Sequence, residues 1–132
     1  MHLHSDNSKS AGLLLLLLVC CGSLPAAEGE LPPAAQHKVD FEAEIRPLLS
    51  GSCETCHGAK KQKGGLRLDL GAAAMKGGDS GAAILPGKSA ESLLIHLVAG
   101  VDPEKTMPPG SKKKLSAAEV GILRAWIDQG LE

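Results

Sequence analysis

The chain has 132 residues, enough for one modest domain, and 14 Lys+Arg against 15 Asp+Glu give it a formal charge of −1. That balance argues against a nucleic-acid binder, which normally carries a basic excess, and no apolar run reaches the roughly eighteen residues of a membrane span. One Phe, one Trp and no Tyr leave little aromatic volume, so the core must be filled by aliphatic side chains or by a bound group.

Residues 1–27 read as a secretory signal: a short polar start with Lys9, an apolar stretch over 11–21, and small residues up to Ala27-Glu28-Gly29 as a cleavage context. Cleavage would remove Cys20 and Cys21 and leave Cys53 and Cys56 as the mature cysteines. A lipid anchor at Cys20 or Cys21 is the less favoured reading, because neither is preceded by the small residue of a lipoprotein signal. Residues 28–38, with Pro32 and Pro33, read as a disordered spacer before a domain over 39–132.

Three helices are predicted in that domain. Asp40 is placed to cap the first, in which Phe41, Ile45, Leu48 and Leu49 share one face, and Pro47 should bend or divide it. Ser89 is placed to cap the second, with Leu93, Leu94 and Leu97 on one side and Gly100 at its end. The third opens on a Ser116/Glu119 capping box with a Leu115–Val120 staple. Its stripe is Val120, Leu123 and Ile127, Trp126 flanks it, and Gly130 terminates it. Between the first two helices lie eight of the sixteen glycines, and Leu66, Leu68 and Leu70 alternate as one short extended segment would. A stretch so poor in side chains is expected to wrap around something.

Cys53-Glu54-Thr55-Cys56-His57 is C-x-x-C-H, the c-type haem attachment signature. Two thiols three positions apart can form thioethers with the two vinyl groups of a porphyrin, and the next residue offers an imidazole as proximal ligand. A thioredoxin-like C-x-x-C would follow a strand, and a zinc site would need ligands from a second pair. For the distal ligand the choices are Met75, His96, His37 and Met107. Met107 is preferred because Thr106-Met107-Pro108-Pro109-Gly110 is a loop stiffened by proline, and a thioether there would raise the reduction potential relative to a second imidazole. Met75 reads as ordinary packing.

Residues 41–132 resemble the planctomycete-type cytochrome c domain, a variant of class I cytochrome c. The likeness rests on F-x-x-x-I-R-P-L-L from Phe41, C-x-x-C-H-G, Gly64-Gly65-Leu66-Arg67-Leu68-Asp69, Gly77-Gly78-Asp79-Ser80, Met107-Pro108-Pro109 and the closing helix. It implies a small all-α fold of about three main helices around one covalent haem c, wrapped by the Gly-rich loop. His57 and Met107 would be the iron ligands, and electron transfer would take place in the periplasm or at the cell surface. By the same analogy Phe41 and Trp126 would meet where the first and last helices cross, with Gly121 letting the backbones approach. Arg67 would pair with a haem propionate.

The function expected is a one-electron carrier with no substrate of its own. The alternatives are a haem sensor or enzyme module with an open or labile distal site, and the N-terminal redox domain of a larger exported protein. Lys60, Lys61 and Lys63 follow the attachment motif, and Lys112, Lys113 and Lys114 follow the distal loop, with no acidic residue inside either run. Together they would form a ring steering an acidic redox partner to the haem edge.

Overall fold

The computed structural model describes residues 29–110 and 112–132. The signal expected over 1–27, with Cys20 and Cys21, lies outside them. Among the described residues there are helices and turns but no strand, only isolated bridges His57–Gln62 and Gly78–Gly81. The α-helices are α1 (Arg46–Ser52), α2 (Glu54–His57), α3 (Gly71–Lys76), α4 (Leu93–Ala99) and α5 (Ala117–Asp128).

The first predicted helix is divided, as Pro47 requires. Asp40 accepts from Ala43 N–H at 2.8 Å and starts a wide turn over Phe41–Ile45, whose last bond runs from Arg46 N–H to Phe41 C=O. Pro47 has no N–H to continue that ladder, so α1 begins afresh with proline in its first turn. Ile45 and Leu49 are buried, and Phe41 and Leu48 pack on the core from its edge.

The last helix matches its sequence signals most closely. Both halves of the Ser116/Glu119 capping box are formed, and Val120, Leu123, Ala125, Trp126 and Ile127 are buried. The wide turn of Phe41–Ile45, the single turn Ser89–Glu91 and α4 all pack against α5. Trp126 is 7% exposed and meets Phe41 with ring centroids 5.8 Å apart. It is the largest side chain of a core that is otherwise aliphatic. Trp126→Ala is expected to cost about 3–5 kcal/mol in denaturant unfolding; a loss below about 1 kcal/mol would show that the contact is peripheral.

Two expectations are corrected. The second helix starts at Leu93 rather than at Ser89, because Ser89 has a distant partner: Asp128 accepts from its N–H and from its hydroxyl, both at 2.8 Å. Ser92 stands at the helix start instead, with its hydroxyl turned back to accept from Leu85 N–H. The disordered spacer expected over 28–38 does not hold from Leu31 onward. Leu31, Ala34 and Ala35 pack on the core, Ala35 N–H donates to Gly121 C=O at 2.9 Å, and Arg124 donates to Pro32 C=O. Gly121 does permit a close backbone approach, but to this segment: a Cβ there would stand 2.6 Å from Pro33 O. Two prolines and few apolar side chains read as a linker in isolation, and the partners that order them lie about ninety residues away.

Candidate functional site

The C-x-x-C-H residues sit where α1 hands over to α2. Cys53 N–H donates to Leu49 C=O as the end of α1, and Cys53 C=O then accepts from both Cys56 and His57 at 3.1 and 2.9 Å. Positions i, i+3 and i+4 of a helical turn share one side, so both thiols and the imidazole face the same way. That side is the wall of a cavity of about 380 Å³, a size suited to a compact organic group.

The opposite wall comes from α4 and from the loop after it. Leu93, Leu94, Leu97 and Val98 line the cavity, as do Met107, Pro108 and Pro109. The predicted stripe of the second helix therefore serves two surfaces. Leu94, Ile95 and Val98 are the buried residues of α4; Leu94 and Val98 also line the cavity beside Leu93 and Leu97, and Ile95 belongs to the core alone. Met107 N–H donates to Leu97 C=O at 2.9 Å, which fixes the loop to the end of α4.

The Gly-rich stretch closes the remaining side with Gly64, Leu66, Leu68, Gly78 and Gly81. It is tied to the attachment motif by Leu68 N–H donating to His57 C=O at 2.7 Å, and to itself by Asp79 N–H donating to Gly64 C=O at 2.8 Å. The second contact is why Gly78 carries no side chain, since a Cβ there would lie 2.4 Å from Gly64 O. The short extended segment expected at Leu66–Leu70 joins no strand ladder, and only Leu68 of the three leucines is buried. The wrap also contains α3, which the sequence reading did not anticipate.

Of the four distal-ligand choices, Met107 alone lines the cavity. The ring of His96 is bonded to Ala90 O at 2.7 Å, and His37 is paired with Glu44 at 2.8 Å. Met75, read as ordinary packing, is instead 39% exposed on α3. Arg67 is not brought to the cavity. Its fork holds Asp69 through two bonds of 2.9 and 2.6 Å, which keeps the Asp69 carboxyl below its ordinary range. The signal was present in the sequence: on extended backbone, residues two apart point the same way.

The chemistry of the site fits a c-type haem and fits its rivals poorly. Burial pushes the Cys53 thiol up to about 11, aided by the Glu54 charge, so this thiol is not activated as a redox nucleophile would be. Among the described residues no cluster of three or more His, Cys, Asp or Glu could hold a metal ion. His57 Nδ1 is buried without a hydrogen-bond partner although its residue lines the cavity. The wall is otherwise mostly apolar, with Ser52 and Ser80 as its hydroxyl residues, and its only charged side chains are Lys63 and Lys112, both basic. Lys112 reaches across the mouth to within 3.7 Å of Cys56 Sγ, a contact the sequence did not suggest.

Residues 53–111 match the family described as planctomycete cytochrome C. No curated protein and no solved structure matches the chain.

Proposed function

We propose, from the premise that this chain carries a cytochrome c-like domain, that it is a monohaem one-electron carrier working outside the cytoplasm, in the periplasm or at the cell surface. In this reading Cys53 and Cys56 hold haem c through thioethers, with His57 as proximal and Met107 as distal ligand, in a class I-like arrangement. The observation that carries it is that two thiols, an imidazole and a thioether line a single apolar cavity. Haem c supplies an iron that alternates between ferric and ferrous states, at a potential raised by sulfur ligation.

The chain's own residues do the rest. The short turn of α2 presents Cys53, Cys56 and His57 from one side, and the bond from Met107 N–H to Leu97 C=O presents the thioether from the other. Leu93, Leu94, Leu97 and Val98 give the space between an apolar wall, and the polarity around the iron is one of the protein's levers on its potential. A carrier whose ligand positions are both filled by the protein resists small ligands. The ferrous spectrum of the matured protein should therefore be unchanged by carbon monoxide, and immediate binding would favour a sensor or enzyme module with an open site.

The partner in this reading is an acidic redox protein. Lys63 and Lys112 lie at the mouth, with Lys60, Lys61 and Lys113 exposed beside them in sequence. Their field should weaken as the screening length falls from ~30 Å at 0.01 M salt to ~8 Å at physiological strength. Bimolecular electron-transfer rates with an acidic partner should drop accordingly, and a rate independent of salt would end the docking reading.

A further inference from the structure

The three consecutive lysines after the distal loop do not behave as one cluster. Lys113 has only a loose contact with Glu119 at 3.9 Å. Lys112 points to Cys56. The ammonium of Lys114 turns back onto the loop, donating to Thr106 Oγ1 at 2.8 Å and to Pro108 C=O. Those two acceptors are the residues immediately before and after Met107. One cation thus bridges both sides of the residue whose thioether faces the cavity.

We infer that Lys114 is a positioning residue that latches the Met107 loop in place. The inference rests on the reading of Met107 as distal ligand and deepens it. Bonds from an ammonium are stronger than neutral ones, and this one starts from a firm base, since Ser116 two residues later opens the capping box of α5. On its other side the loop is held by Met107 N–H bonded to Leu97 C=O of α4. The thioether is therefore suspended between the last two long helices, and Lys114 supplies the α5 side of the suspension. A ligand held from both sides is pre-organised, whereas one held from a single side swings with its loop.

The test compares five variants of the full chain, exported and matured with haem, by carbon monoxide uptake of the ferrous form, reduction potential and thermal midpoint. Lys114→Leu should take up carbon monoxide about tenfold faster than the parent, the order expected for losing a charged hydrogen bond. Lys114→Arg, which keeps donors at that place, should recover most of the parent's resistance. Lys105→Leu removes the same charge one residue before Thr106, where the ammonium meets Asp102 at 3.3 Å, and should match the parent, which separates the latch from any general effect of charge. Lys114→Gln is measured in the same way should Lys114→Leu mature poorly. Uptake by Lys114→Leu or Lys114→Gln no faster than by Lys105→Leu, or a lowered thermal midpoint with unaltered uptake and potential, would overturn the latch. If Met107→Ala is itself as inert to carbon monoxide as the parent, the ligand assignment fails and the latch with it; if Met107→Ala opens the site while Lys114→Leu does not, only the latch fails.

Discussion

A Cys53→Ala/Cys56→Ala variant is expected to leave an exporting, haem-attaching host without haem stain on a denaturing gel and without a cooperative thermal transition. The first result follows from the chemistry, because only the two thioethers would survive denaturation. The second follows from packing. Without a covalently held group, about 380 Å³ lined by Leu66, Leu68, Leu93, Leu94, Leu97 and Val98 would have nothing to pack against. At about 24 cal/mol per Å³, a dry cavity of that size costs up to roughly 9 kcal/mol, and entry of water through the mouth lowers the figure. Even half of it is large beside the roughly 5–15 kcal/mol that holds a domain folded. The remaining core offers little reserve, with Phe41 and Trp126 as its only aromatics. Stain retained by the double variant would refute the attachment, and a sharp transition in unstained protein would show that the core stands without the group.

The parts legible in the sequence are those whose causes are local. The capping box of α5 needs Ser116 and Glu119 three residues apart and nothing else, and it is formed. Pro47 divides the first helix through a missing N–H, whatever surrounds it. C-x-x-C-H is likewise local, and one helical turn is enough to gather its side chains. Where the reading went astray, a distant partner decided. Ser89 looked like a helix cap until Asp128 took both its N–H and its hydroxyl. Residues 31–38 looked like a tether until Gly121, Arg124 and Gln129 supplied partners on α5. Leu93 and Leu97 line the cavity, Ile95 of the same helix faces the core and Leu94 touches both, and periodicity alone does not tell a core face from a cavity face. The lysine run shows the same limit, since three identical neighbours have three different partners.

Met107→Ala is expected to lower the reduction potential and to open the ferrous protein to carbon monoxide. Removing the thioether leaves His57 as the one remaining protein ligand among those that line the cavity. Sulfur ligation favours the ferrous state, so its loss moves the potential down. The sign is fixed by that preference and does not depend on how far the loop relaxes. The other candidates are held elsewhere: His96 by Ala90 O, His37 by Glu44, and Met75 on the exposed side of α3. None of the three lines the cavity. The backbone of the loop should persist, because its anchors do not use the Met107 side chain: the residue's N–H bonds to Leu97 C=O, and Lys114 bonds to Thr106 and Pro108. Covalent stain should therefore be retained and the thermal midpoint should fall only modestly, which separates a lost ligand from a lost fold. If both the potential and the carbon monoxide response match those of the parent, the sixth position belongs to another residue, and His96→Ala and Met75→Ala are the variants that would find it.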